Sequence, residues 1–107
     1  MTAPQPTFRA LADPTRREIL LLLRSRPMNL VEISAQFDMT RAAVKKHLII
    51  LRDGGLITMT PEGRTLVSRF NPAGLRAVFS WLEFFDAFWD DRLSALATAI
   101  EKDQDNA

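Results

Sequence analysis

Four cationic side chains between positions 41 and 52 are spaced so that a helix would bring them together. On a helix over residues 41–53, at about 100° per residue, one outward arc contains Arg41, Ala42, Lys45, Lys46, Ile49 and Arg52. Guanidinium and ammonium groups can donate to guanine N7 and O6 or neutralise phosphates, and small apolar groups can meet thymine methyls. A cationic face that contacts only solvent is the alternative reading of this arc.

Chemistry that depends on thiols or on several histidines is excluded. The chain has no cysteine and no tyrosine, and His47 is its single histidine. We see no glycine-rich phosphate loop and no paired carboxylates facing a cleft, since Asp90 and Asp91 are adjacent on a helix and point apart. The composition therefore predicts no enzyme, no cofactor and no metal site. For His47 we expect a partly buried packing role rather than a contact to DNA or a metal.

The helix that carries the cationic arc has a clear start, a buried edge and a clear end. Thr40 can cap it, and Val44, Leu48 and Leu51 form an apolar stripe that packs inward. Gly54-Gly55 supplies the left-handed conformation that ends helices. A short helix from Asn29, with Glu32 at capping-box spacing and Ile33 and Phe37 as its stripe, precedes it.

The flanking segments predict two further helices and a hairpin. Asp13-Pro14 starts a helix whose apolar face is Ile19, Leu20 and Leu23, after a short apolar segment around Phe8 and Leu11. Residues 56–60 and 65–70 are rich in β-branched and apolar residues, and the turn sequence 61–64 joins them, with Arg64 at the tip. Such a cation can reach a minor groove or phosphates.

Residues 72–102 predict one long helix, because Asn71-Pro72 can start it and its only glycine, Gly74, lies in the first turn. Apolar residues recur along it in steps of three and four, which is typical of a helix-pairing seam. We expect a dimer interface made by Phe8, Leu11, Leu75, Val78, Phe79, Leu82, Phe85, Trp89, Leu93 and Leu96. A ligand pocket between Trp81, Phe85 and Trp89 is the alternative that we favour less.

The predicted order is α-α-α-α-β-β-α, a mainly α-helical winged helix-turn-helix that dimerises through its terminal helices. With 107 residues, a single domain over 1–107 is expected: helix-turn-helix 29–53, wing 56–70 and dimerisation helix 72–102. Eleven lysines and arginines stand against six acidic residues in 1–70, and three against seven in 71–107. The first part therefore suits a polyanion. No signal peptide or apolar span is visible, so we expect a cytoplasmic protein, at the nucleoid when bound to DNA.

Several segments in this order resemble the ArsR-type family of winged-helix regulators. Residues 11–20 (LADPTRREIL) resemble its opening motif, 40–48 (TRAAVKKHL) its recognition helix, 51–57 (LRDGGLI) its helix exit and 62–64 (EGR) its wing turn. The resemblance implies a homodimer that sits on a palindromic DNA operator and represses transcription. It assigns base and phosphate contacts to Thr40, Arg41, Ala42, Lys45 and Lys46, and a wing contact to Arg64.

Two departures from the family pattern limit what can be transferred. Small polar residues and Gln usually stand where this chain has Arg41 and Lys45, so the operator sequence does not carry over. Metal-sensing members have a Cys pair where this chain has Asn29 and Val31, or Asp and His side chains on the C-terminal helix, which has carboxylates here but no His. A thiol- or His-based metal sensor is therefore not expected. A small-molecule inducer is left open and unidentified. The competing function is a winged-helix module that binds another protein through its aromatic, acidic C-terminal helix.

Overall fold

The computed structural model describes the backbone of residues 4–105 and the side chains of residues 4–102. The ends of the predicted domain, residues 1–3 and 106–107, lie outside the described residues. The first half contains α1 (Gln5–Leu11), α2 (Pro14–Ser25), β1 (Met28–Asn29), α3 (Leu30–Ser34) and α4 (Arg41–Asp53). The second half contains β2 (Ile57–Glu62), β3 (Thr65–Phe70), a 3-10 turn (Pro72–Leu75), α5 (Arg76–Leu82), a second 3-10 turn (Glu83–Phe85) and α6 (Asp86–Asp105).

The core lies between α2, α4 and the sheet, and it contains the stripes that the sequence predicts. Its buried apolar side chains are Ala10, Ile19, Leu20, Leu23, Met28, Ile33, Val44, Leu48, Leu51, Leu56 and Ile57. Each of the larger ones contributes about 1.5–3 kcal/mol when fully buried. The periodicity of 3.6 residues in α2 and α4 explains why these side chains lie on one face. The mainly helical winged helix-turn-helix fold is confirmed.

Helix starts follow the predicted caps. The side chain of Asp13 accepts from the backbone N–H of Arg16, and that of Thr40 accepts from Ala43 N–H. Asn29 and Glu32 form a reciprocal capping box, at 2.9 and 3.0 Å. These bonds satisfy backbone donors that have no partner within the helix, so α2, α3 and α4 begin where the sequence indicates.

The sheet has three antiparallel strands in the order β1-β3-β2, whereas the sequence predicts two. β1 pairs Met28 with Ser68 and Asn29 with Val67. Two residues after Pro27 carry no period-two pattern, so only the tertiary pairing reveals this strand. The hairpin itself is confirmed: β2 and β3 pair from Ile57↔Phe70 to Glu62↔Thr65, and its turn is shorter than expected because only residues 63–64 lie outside the strands.

The prediction of one helix over 72–102 is wrong in detail. The segment starts as a 3-10 turn, and a second 3-10 turn at Glu83–Phe85 separates α5 from α6. Trp81 contacts Phe8 of α1 at 5.6 Å and Phe85 at 5.2 Å between ring centroids, both edge to face. Edge-to-face pairs of this kind are favourable for aromatic rings, and the contact with Phe8 is one that local propensity does not encode.

Two smaller expectations also need correction. α3 ends at Ser34, and Phe37 lies beyond it in a turn whose N–H bonds reach back three residues, although its half-buried ring still packs on the core. The side chain of Asn71 does not cap the following turn. Its Nδ2 donates to the Gly55 carbonyl at 3.0 Å, which ties the end of the hairpin to the end of α4.

Candidate DNA-binding surface

α4 presents opposite faces to the core and to the outside. Val44, Leu48 and Leu51 are buried, and this anchored edge fixes how the helix is rotated about its axis. The predicted contact residues on the other side are all exposed: Thr40, Arg41, Ala42, Lys45, Lys46 and Arg52. Ile49, which the helical wheel places on the same arc, is half-buried. The exposed arc therefore consists of cations with two small side chains.

The hairpin brings a further cation beside α4. Arg64 follows Gly63, whose positive φ of 62° lets the chain reverse there, and Thr65 Oγ1 donates to the Glu62 carbonyl at 3.0 Å. Lys45 of α4 and Arg64 of the hairpin tip line the same cleft. The structure thus brings together the two regions that the sequence analysis assigns to one surface.

Not every cation of this region is equally free to contact an anionic partner. Arg52 Nη2 lies 3.3 Å from the Asp53 carboxylate, which offsets its charge. Arg69, a cation that the sequence analysis did not single out, donates to Thr60 Oγ1 at 2.9 Å and pairs with Glu62. Because Arg69 lies on β3 and its partners on β2, it braces the hairpin and neutralises the acidic side chain next to the tip. The register of the hairpin places Arg69 opposite Thr58. Only that register could have indicated from the sequence that Arg69 faces β2 partners.

His47 joins α4 to α2 through a polar contact. Its side chain is 19% exposed, as expected for a partly buried residue, and it makes polar contacts in addition. Its Nδ1 lies 3.3 Å from a guanidinium nitrogen of Arg16 and 4.0 Å from an Asp13 carboxylate oxygen. Since guanidinium groups can only donate, Nδ1 accepts this hydrogen bond.

The Asp13 carboxylate is held in its charged form. The hydrogen bond from the Arg16 backbone N–H lowers its pKa, partial burial opposes this, and the charge of Arg16 lowers it further. At Glu32 of the capping box, the Asn29 backbone N–H and then the Arg26 side chain lower the pKa of the carboxyl. Both carboxylates therefore act in helix capping, away from the cationic arc.

The predicted interface residues divide into three groups, one of which, Val78 and Leu82, is half-buried. Leu11 and Leu75 pack on the core of the same chain, and Phe8 is covered by Trp81. The C-terminal apolar surface, by contrast, is exposed and consists of Phe79, Phe84, Phe85, Phe88, Trp89, Leu93, Leu96 and Ile100. An open cleft of about 360 Å³ on it is lined by Phe79, Leu82, Glu83, Asp86 and Trp89. Only Trp89 is common to this cleft and the pocket considered from the sequence.

Among the described residues, no group of three or more His, Asp or Glu side chains is placed to hold a metal ion. No helix within residues 4–105 is long and apolar enough to cross a bilayer.

Comparison with known proteins places these features in context. The family model described as "Bacterial regulatory protein, arsR family" matches residues 13–59. The HTH-type transcriptional regulator Rv2034 of Mycobacterium tuberculosis is 33% identical over 97% of this chain and 94% of its own length. The transcriptional repressor SdpR of Bacillus subtilis is 31% identical over 70% of this chain and 83% of its own.

Solved structures agree with this likeness. The crystal structure of the ArsR family transcriptional regulator RHA00566 superposes with a TM-score of 0.73 at 34% identity, covering 80% of this chain and 89% of that one. A homodimeric winged helix-turn-helix DNA-binding domain from Mycobacterium bovis superposes with a TM-score of 0.63 at 23% identity, covering 78% and 77%.

Proposed function

Because the chain belongs to the arsR family of bacterial regulatory proteins, we propose that it represses transcription as a homodimer bound to a palindromic operator. The observation that carries the proposal is the exposed cationic arc of α4 beside Arg64 of the hairpin. The repressor SdpR among the relatives supports repression rather than activation. The proposal involves no catalytic step.

In this proposal α4 enters the major groove with its N-terminal half foremost. Arg41 and Lys45 donate to base edges or phosphates, and the methyl group of Ala42 meets a thymine methyl. Thr40 Oγ1 accepts from Ala43 N–H, which leaves its hydroxyl proton free for a phosphate. Lys46 and Arg52 contribute to phosphate neutralisation, with Arg52 weakened by Asp53.

The hairpin extends the contact beside the major groove. Arg64 at its tip reaches the neighbouring minor groove or its phosphates. The pairing of Arg69 with Glu62 supports this role, because an unpaired carboxylate next to Arg64 would repel the phosphates. The proposed division of the chain is thus helix-turn-helix over 29–53, wing over 56–70 and dimerisation over 72–102.

A homodimer accounts for the C-terminal apolar surface. Phe79 and Phe84 are 64% and 66% exposed, and this much exposed apolar surface on one segment marks an interaction site. The homodimeric domain from Mycobacterium bovis supports a second copy of the same chain as the occupant. Two copies related by a two-fold axis would place two α4 helices on two half-sites.

The signal that releases the repressor is not a thiol-bound metal in this proposal. Asn29 and Val31 stand where the metal-sensing members have their cysteines, and the chain contains no cysteine at all. Asn29 is instead committed to the capping box with Glu32. Soft-metal binding would need thiolate ligands.

The same exposed surface favours a second candidate, a module that binds another protein through α5 and α6. Sedimentation of the full chain at micromolar concentration separates the two candidates. A dimer supports the repressor, whereas a stable monomer favours the interaction module.

DNA binding is tested with the sequence upstream of the protein's own gene, in a fluorescence-anisotropy titration at several salt concentrations. We expect the protein to bind this DNA more tightly than a shuffled duplex. The slope of the logarithm of affinity against the logarithm of salt concentration should fall by about one for each phosphate contact removed. The double variant Arg41→Ala with Lys45→Ala should lose affinity, while Arg24→Ala, an exposed cation on α2, should not. Equal binding to both duplexes, or no loss in the double variant, contradicts the proposal.

A further inference from the structure

A cleft of about 230 Å³ opens between the start of α3, the middle of α4 and the inner face of the hairpin. Its apolar wall is formed by Val31, Leu48, Met59 and Leu66. Leu48 is only 1% exposed and forms the floor, whereas Val31 and Leu66 are 52% and 37% exposed at the sides. Apolar side chains in a concave site lose water when an apolar ligand binds, which favours binding.

The charge at this cleft has one sign. Lys45 and Arg64 line it, and none of its lining residues is acidic. Neither cation lies within 4.0 Å of a carboxylate belonging to residues 4–102. An ammonium and a guanidinium that are not neutralised by the protein attract an anionic group, and a carboxylate fits the donor fork of arginine.

From this combination we propose that the cleft binds a small amphiphilic carboxylate, with its apolar body on Leu48 and Met59 and its anionic head between Lys45 and Arg64. The volume lies below the roughly 300–1,000 Å³ of sites for drug-sized ligands, so the ligand is a short one. The regulatory part of this inference, competition with DNA, rests on the proposed function, because Lys45 and Arg64 are also proposed DNA contacts. The ligand and DNA therefore compete for the same cations.

Binding is measured on the full chain without DNA, with octanoate as the probe. The methyl groups of methionine are labelled with carbon-13, and Met59 lines the cleft while Met28 is buried in the core and reports on the fold. Octanoate should shift the Met59 signal saturably, acetate should not, and octan-1-ol should bind at least about tenfold more weakly. No shift with octanoate, or an equal affinity for octan-1-ol, overturns the proposal.

The chain offers a matched pair of variants. Leu66→Glu puts a carboxylate in the apolar wall and should abolish the Met59 shift, while Leu21→Glu changes an exposed leucine of α2 outside the cleft and should leave it intact. An unchanged Met28 signal shows that each variant is folded. A Met59 shift that persists in Leu66→Glu overturns the assignment of the site.

Competition is measured by anisotropy, with octanoate compared against acetate at equal concentration so that ionic strength is matched. Above its own Kd, octanoate should raise the apparent Kd for DNA in proportion to its concentration, and Leu66→Glu should not respond. DNA binding without any Met59 shift overturns ligand binding in the cleft but leaves the proposed function standing. A Met59 shift in a protein that binds no DNA supports the cleft and overturns the proposed function together with the competition.

Discussion

A guanidinium nitrogen of Arg16 on α2 lies 3.3 Å from Nδ1 of His47 on α4. The same side chain donates from Nε to the Ala10 carbonyl and from the other terminal nitrogen to the Arg9 carbonyl, both at 2.8 Å. Arg16 thus joins the end of α1, the start of α2 and the outer helix α4. It holds the cationic arc in place without belonging to it.

Replacing Arg16 with leucine should destabilise the fold by about 1–3 kcal/mol, because partly buried acceptors lose their donors. Urea unfolding followed by circular dichroism measures the change. Arg24→Leu on the exposed side of the same helix is the control and should stay within about 0.5 kcal/mol of the wild type. Equal losses in the two variants would show that Arg16 does not join these helices.

Asp13 predicts a pH dependence with a defined sign. Its pKa is lowered below 3.8, first by the Arg16 backbone N–H, so the folded state favours the charged form. The resulting stability is present above the ordinary pKa and is lost as the pH falls through the folded value. Because Asn caps helices about as well as Asp, the stability advantage of the wild type over Asp13→Asn should shrink on acidification.

Thermal unfolding of both proteins across the acidic range measures this difference. Asp90→Asn, which changes an exposed carboxylate on α6, is the control for altered net charge. If the unfolding temperatures of wild type and Asp13→Asn change in parallel with pH, the charge of the cap contributes no stability.

Gly74 is expected to be intolerant of any side chain. A Cβ there would lie 2.0 Å from the Gly55 carbonyl oxygen and 2.7 Å from its carbon, and backbone atoms cannot move aside cheaply. Gly74→Ala should therefore cost about 3 kcal/mol or more. Gly63→Ala, which strains a positive φ in open space, should cost only about 1–2 kcal/mol. Chemical denaturation compares the two, and the reverse ranking would contradict the close approach of Gly74 to Gly55.

The C-terminal apolar surface predicts an obligatory partner. Trp89 is 42% exposed in the single chain, and Trp89→Glu would place a charge where a dimer buries an indole ring. Sedimentation velocity should show twice the chain mass of 12.1 kDa for the wild type and the single chain for the variant. Leu21→Glu on α2 should remain dimeric. A dimer that persists in Trp89→Glu would move the interface elsewhere.

Local signals made much of this fold predictable. Asp13, Asn29 and Thr40 cap the helices that their positions indicate, and the stripe of α4 is buried, because caps and helical periodicity depend on near neighbours in the chain. β1 was not predictable, since its two residues gain strand geometry only by pairing with β3. The break at Glu83–Phe85 was not predictable from the spacing of the apolar residues, and the nearby contact of Trp81 with Phe8 joins elements that are distant in sequence.

The candidate surface, too, was predictable in part, where its features depend on near neighbours in the chain. The exposed arc of α4 follows from helical geometry, so Arg41 and Lys45 could be placed from their spacing. The contact between His47 and Arg16 joins elements that are distant in sequence, so it could only be found in the folded chain. The bracing of the hairpin by Arg69 joins adjacent strands and depends on their register.

Hydroxyl-radical footprinting on the DNA upstream of the protein's own gene tests the central claim most directly. A two-fold dimer with one α4 in each major groove should protect two symmetric half-sites, with centres about 10–10.5 base pairs apart or a multiple of that distance. Lys45→Ala should weaken protection in both half-sites equally. A single unsymmetrical protected region, or protection unaffected by Lys45→Ala, would contradict the account.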